Sequence, residues 1–484
     1  MVTSYVDGSV RRRSAAAALR TLNHPFDFMY CELNPIDASS DEGSCEGAME
    51  AVLPIEILTG FESTFAPAHD RDVAETNAHV ARRREDLDLL ASTGVRRVRY
   101  PVRWHRVEEL EGRFDWAETD EALQALDQRG LKPIVDLLHH TSHPAWLSFA
   151  DPRFRDVYLR YVEAFARRYP SVESYTLFNE PFSTLLLSGH EGIWPPYLVG
   201  MSGMVELWKN VLPAWTEASR LYRDLLPRAR HFHTDSCEHH TGGAPMAYVA
   251  NDRRFAILDI LLGLDLNPTR PFLRQLVEYG GEELLTLSTG HVDVVGLDYY
   301  AHNQWSFRSG VDGCAPTPNP IPLAALIRQY WERYQRPCLL GETNIRGTAS
   351  DRASWFKYTL EQCEIAALSG VPVEGHCWFP FVDSCDWDTL LQRCDCHRDP
   401  VGVYCLDEAL DRQPSSISRS FAMAASGSRA SELRAYEFQQ PTAYWIRGWL
   451  PQMAHWQWEL PPEEERVPNA VAESFDPLGA REIA

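Results

Sequence analysis

The stretch WAETDEALQALDQRGLKPIVDLLHH, residues 116–140, changes period partway through. Its first half spaces Ala122, Leu123, Leu126 and their neighbours at helical intervals, with Thr119 or Asp120 expected as the cap and Gly130 as the stop. Its second half, KPIVDLL at 132–138, is a short apolar run fit for a strand covered on both faces. One such helix-then-strand unit does not define a fold, but repetition of it does.

The same alternation recurs on both sides. Strands are expected at 55–58, 95–101, 132–138, 174–178, 229–234, 292–300, 337–342 and 374–379, with amphipathic segments between them such as HVARRREDLDLLASTG at 79–94. Eight βα repeats imply an α/β fold, a closed (β/α)8 TIM barrel. The barrel is expected over 51–426, closed by a helix within 415–426, with a flexible or loosely docked N-terminal extension at 1–50. A C-terminal extension, 427–484, carries the aromatic run YWIRGWLPQMAHWQW, too apolar to leave in water and expected to pack on the barrel.

Composition narrows the function classes. The chain has 484 residues with 44% hydrophobic and 11% aromatic content, ample for a large core. Its formal charge of −22 repels phosphate backbones and anionic lipids, so neither nucleic acid nor membrane partners are expected. No run approaches a transmembrane span, and the first residues lack the apolar core of a secretory signal, so a cytoplasmic location is the expectation. The 11 cysteines are scattered and are expected to be free thiols. Cys385, Cys394, Cys396 and His397 lack a paired knuckle, and no compact ligand set gathers His139, His140, His143, His231, His233, His239 and His240, so neither a metal nor another cofactor is expected.

In a parallel barrel the chemistry lies at the carboxyl ends of the strands. TLFNEP, 176–181, and LLGETN, 339–344, put Glu180 after the fourth strand and Glu342 at the end of the seventh. Two carboxyl groups across one pocket are the minimum for cleaving a glycosidic bond, one protonated to assist departure and one ionised to attack or to activate water.

These segments resemble family 1 glycoside hydrolases, the β-glucosidase-like retaining enzymes. RYPVRWHRVE at 99–108, PIVDLLHH at 133–140, GLDYY at 296–300 and the stretch from Trp378 to Trp387 are similar to further strand motifs of that family, in order from about residue 54 to 426. GFEST, HHTSHP and RRFAILDILLG look like a subgroup of which some members occur beside or fused to dTDP-4-dehydrorhamnose reductase modules, although no glycine-rich dinucleotide fingerprint is present.

The resemblance implies roles. Glu180 would be the general acid/base and Glu342 the nucleophile, kept ionised by Arg99 and hydrogen-bonded by Tyr300. Asn179 would hold the sugar 2-hydroxyl and His139 a neighbouring one. Trp378 would offer a flat platform, and Asp386 and Trp387 would reach the far hydroxyls. Four positions depart from the family pattern: Glu62 stands near the place of a Gln, Asp298 replaces an Asn, Asp386 a Glu and His140 a Trp. The expected partner is a carbohydrate or glycoside with a terminal, β-linked sugar; a sugar-binding or regulatory barrel without turnover and a transglycosidase remain alternatives.

Overall fold

This computed structural model describes residues 54–434 apart from 243–244, 308–313, 318–319, 347–348 and 394. The expected N-terminal extension, the aromatic run at 444–458 and Cys394 lie outside the described residues.

Eight parallel strands close on themselves. They are β1 Ile57–Gly60, β2 Arg97–Pro101, β3 Lys132–Asp136, β4 Ser174–Thr176, β5 Arg230–Ser236, β6 Val294–Asp298, β7 Cys338–Glu342 and β8 Val373–Trp378. Closure is made by β1, which pairs with β2 through Thr59 and Val98 and with β8 through Ile57 and His376. Each expected strand is present. Several end earlier than the apolar run, because Leu137 and Leu177 continue past the last ladder pairs into the loops that form the mouth.

Alternation along each strand builds two apolar layers. Leu58, Ile134, Phe232, Val294, Leu339, Cys377 and Phe379 fill the barrel interior. Residues of opposite parity, among them Ile57, Val98, Val135, Tyr175, Val295, Leu340 and Trp378, pack outward beneath the helices. Those helices include α1 His79–Ser92, α2 Ala117–Asp127, α3 Phe154–Arg168, α4 Pro181–Gly189, α5 Gly200–Leu225, α6 Pro245–Leu262, α7 Leu323–Tyr334, α8 Ala349–Leu368 and α9 Ser418–Ala425.

The α2 cap differs from expectation. Asp115, rather than Thr119 or Asp120, receives the Ala117 N–H at 2.9 Å, so the helix begins earlier. Thr119 is then buried in its first turn, and Asp120 faces outward to Arg168 and Tyr169. Gly130 does end the segment, with φ of 66°, a left-handed conformation that costs glycine least. The described part of the C-terminal stretch continues the barrel body: Ala430 and Leu433 are buried in the outer core, and Lys357 of α8 donates to the Leu433 carbonyl at 2.8 Å.

Buried histidines make the fold acid-sensitive. Burial pulls His143 and His231 down to about 4, and His233 and His376 down to about 3. An unfolded chain titrates its histidines at about 6.5, so below that pH it binds more protons than the fold does, and stability falls as pH falls. The free energy of unfolding, measured by denaturant titration, is expected to be smaller at pH 5 than at pH 7. Equal values at the two pH settings would contradict these burials.

Candidate active site

Glu180 and Glu342 line one pocket at the carboxyl ends of the barrel strands. Each reaches it by a different device. The chain turns sharply at Glu180, whose φ of 45° is left-handed, and its N–H donates to the Thr234 carbonyl at 2.9 Å. Pro181 then opens α4, while Asp235 at the end of β5 accepts the Phe182 N–H at 2.8 Å. The strained residue is thus fixed from both sides, a cost that a fold bears where a side chain must be aimed. Glu342 projects directly from the last position of β7.

Their surroundings are opposite in kind. Glu342 Oε1 accepts from Arg99 Nη1 at 2.6 Å, and its Oε2 accepts from the Tyr300 hydroxyl at 2.6 Å. Burial and the neighbouring Glu342 charge raise Tyr300 well above its ordinary range, so it stays a donor. Among the described residues Glu180 has no cation in hydrogen-bonding contact; His140 Nε2 lies 3.9 Å away, and burial with the His139 charge keeps that ring neutral. Burial first, then the negative charges of Asp298, Glu342 and Asp235, push Glu180 well above the usual carboxylate range. One carboxyl group is held as an acceptor by two donors. The other is driven toward its protonated form.

Arg99 ties the floor together from β2. Besides Glu342 it donates to the Gly341 carbonyl at 3.0 Å and to Asn179 Oδ1, and it lies 3.6 Å from Asp136. Asn179 Oδ1 also accepts from Thr234 Oγ1 at 2.7 Å, so its amide orientation is set. Its Nδ2 is buried with no partner, a donor available to a ligand. A strand-like bridge from Asn179 to His139 on one side and Thr234 on the other places it in register at the mouth.

His139 Nδ1 is 2.7 Å from Asp136 Oδ2, and its Nε2 is 3.4 Å from Glu62 Oε1. Burial opposes a charge on the ring, but Glu62 and Asp136 together raise His139 to about 10. Burial likewise opposes the Glu62 charge, yet His139 brings that acid down to about 2. Asp298, whose oxygens are buried without partners, is pushed up by burial and by Glu342. It lies against Gly341, where any Cβ would come within 2.4 Å of its Oδ1.

Of the residues expected at the site, Glu180, Glu342, Tyr300 and Trp387 line the pocket, and Arg99, Asn179 and His139 form the bonded layer directly beneath it. Trp387 packs against His140 and Trp194, with ring centroids 5.5 and 6.0 Å apart. Two residues lie elsewhere. Trp378 is wholly buried under α8, its ring 5.8 Å from Phe356 and its Nε1 bonded to the Val401 carbonyl at 2.8 Å. Strand parity sends it outward and its neighbour inward, so the aromatic wall of the pocket is Phe379, stacked on His139 and 5.3 Å from the Arg99 guanidinium. Asp386 spends both oxygens on its own loop, accepting the N–H groups of Cys396 at 3.0 Å and His397 at 2.8 Å. It shapes the turn that presents Trp387.

Sequence reading did not find Phe379, Asp136 or Asp235. The aromatic immediately before Pro380 and the acid three residues before His139 were the available signals. His231 and His233, which stack on Tyr175 and face Trp215, are core histidines. Cys237, Cys338, Cys363, Cys377, Cys385, Cys396 and Cys405 are in no disulfide, and all but Cys396 are buried. Among the described residues Asp388, His397 and Asp399 bring ligand-capable atoms within 4.8 Å of one another. Asp399 already accepts from Arg346 and the Trp387 N–H, and Asp388 from Arg393, so this loop supplies its own donors.

Residues 59–239, which hold the end of β1, all of β2 to β5 and therefore Arg99, His139, Asn179 and Glu180, match the family model described as glycosyl hydrolase family 1. Over those residues the chain is similar to glycosyl hydrolase family 1. Coniferin β-glucosidase of Pinus contorta is 28% identical over 192 residues, 37% of this chain and 36% of the relative. β-Glucosidase 1B of Phanerodontia chrysosporium is 31% identical over 127 residues, 23% of each chain. A probable inactive β-glucosidase 14 of Oryza sativa subsp. japonica is 23% identical over 197 residues, 38% of this chain and 37% of the relative. The matches thus span between 23% and 37% of the length of these curated relatives. The β-glucosidase of Thermotoga maritima, solved with deoxynojirimycin, superposes with a TM-score of 0.66 at 16% identity, covering 78% of this chain and 99% of that one. The barrel is therefore β-glucosidase-like in fold. No described helix is long and apolar enough to cross a membrane.

Proposed function

We propose that this family-1-like barrel is a retaining O-glycosidase acting on a terminal, β-linked sugar. One observation carries the proposal: two carboxyl groups share a pocket in which one is unpaired and pushed toward protonation, while the other accepts from Arg99 and Tyr300. That division is what double displacement requires.

Glu342 attacks the anomeric carbon as Glu180 passes its proton to the departing oxygen, and a glycosyl ester forms on Glu342. Glu180, now ionised, takes a proton from water, which attacks the same carbon and releases the sugar with its configuration retained. Asn179 Nδ2, buried without a partner among the described residues, would donate to the hydroxyl beside the reacting carbon, and Phe379 would offer a flat apolar face to the ring.

A panel of nitrophenyl glycosides, with NMR of the first anomer formed, tests the reading. Release of nitrophenol with the β-anomer appearing first is expected from a β-glycoside. First appearance of the α-anomer would replace the mechanism with an inverting one. The name of the rice relative supports a second reading, a sugar-binding barrel without turnover. Binding of glycosides with no nitrophenol released over long incubation would favour it.

A further inference from the structure

An unbalanced line of charge runs along the pocket floor. Glu62 lies 3.4 Å from His139, His139 is 2.7 Å from Asp136, Asp136 is 3.6 Å from Arg99, and Arg99 is 2.6 Å from Glu342. Three acids alternate with two bases, so the line carries one negative charge more than its bases offset. Asp298, buried nearby, has no basic partner in hydrogen-bonding contact, and the imidazole of His140 is kept neutral by burial and by the His139 charge.

The acid at the free end of that line is Glu62, and it is rigidly held. Its Oε1 accepts the N–H groups of Ser63 at 2.8 Å and Thr64 at 2.7 Å together with the Thr64 hydroxyl at 2.7 Å. Its Oε2 has no hydrogen-bond partner among the described residues, and Glu62 lines the same pocket as Glu180 and Glu342. A carboxylate so anchored offers only an acceptor to the ligand. It repels an acidic sugar, accepts a charge-assisted hydrogen bond from a neutral hydroxyl, and pairs more strongly still with an ammonium group, whose full charge it offsets.

We propose that Glu62 makes this pocket selective for glycosides of amino sugars, taking the sugar's protonated amine on Oε2 and rejecting uronides. Because Asn179 is assigned the hydroxyl at C2, the amine is sought at C3, C4 or C6. This inference rests on the glycosidase reading for its kinetic arm only, because selective binding needs no turnover.

The test compares nitrophenyl β-glycosides bearing an amine at C3, C4 or C6 with the parent glucoside and the glucuronide, at about pH 6, where such amines are protonated. The same amines as methyl glycosides are titrated calorimetrically into wild-type protein and Glu62→Gln. Gln keeps an acceptor for Ser63 and Thr64 but removes the charge, and a thermal-melt comparison checks that the variant folds. One amine position is expected to exceed the parent by roughly 10-fold in kcat/KM and in binding, and to lose that advantage in Glu62→Gln. An advantage that persists in Glu62→Gln, or no advantage at any position, overturns the inference and leaves hydrolysis standing. Amine-selective binding without nitrophenol release keeps the inference and overturns the glycosidase reading.

Discussion

Glu342→Gln is expected to lose roughly four orders of magnitude in kcat/KM on an activated aryl glycoside while remaining folded. The substitution keeps the shape and one acceptor oxygen for Arg99, and its NH2 can donate to the Tyr300 hydroxyl in place of the second acceptor, but an amide does not form the glycosyl ester. Arg99 loses its charged partner at 2.6 Å yet retains Asp136 at 3.6 Å and the Gly341 carbonyl, so the guanidinium is not left bare. The control is a thermal melt within a few degrees of wild type. Activity within about 10-fold of wild type would mean that the covalent step, if there is one, is made elsewhere.

Glu180→Ala should separate the two half-reactions. Formation of the glycosyl ester needs a proton only in proportion to how poorly the aglycone leaves. The loss is therefore expected to be slight for a dinitrophenyl glycoside and roughly 100- to 10,000-fold for an alkyl glycoside. Breakdown of the ester needs a base for water, and azide, which needs none, should restore turnover and yield a β-glycosyl azide. The pH profile carries a second sign. Glu180 must be protonated to act, and burial with the charges of Asp298, Glu342 and Asp235 raises it, so activity should extend above the usual carboxyl range before falling. That alkaline limb should vanish in Glu180→Ala. Equal losses on all aglycones, with no azide product, would remove Glu180 from the acid/base role.

The barrel was legible because a parallel strand buried on both faces must be apolar throughout, and eight such runs separated by helical periods leave little choice of architecture. The acids at the ends of β4 and β7 were legible for a related reason: a carboxyl group closing an apolar run has to serve something. Trp378 shows where this reading stops. A strand has period 2, so a slip of one residue moves a ring from the pocket to the core, and nothing in GHCWFPF reveals which of two adjacent aromatics faces inward. Asp386 shows a different limit. Its fate was decided by the Cys396 and His397 N–H groups, brought back by a loop whose path the sequence does not declare. The line from Glu62 through His139 and Asp136 to Arg99 joins β1, β2 and β3, and it exists only once those strands stand side by side.

The account depends on Glu342 becoming covalently bonded to the sugar. Incubation with a 2-deoxy-2-fluoro glycoside bearing a good leaving group, followed by peptic digestion and mass spectrometry, tests this most directly, since the fluorine slows breakdown of the ester more than it prevents its formation. A single added fluorosugar on the peptide containing Glu342, absent from Glu342→Gln, is the expected result. Steady turnover of the parent glycoside with no adduct, or an adduct on a peptide lacking Glu342, would contradict it.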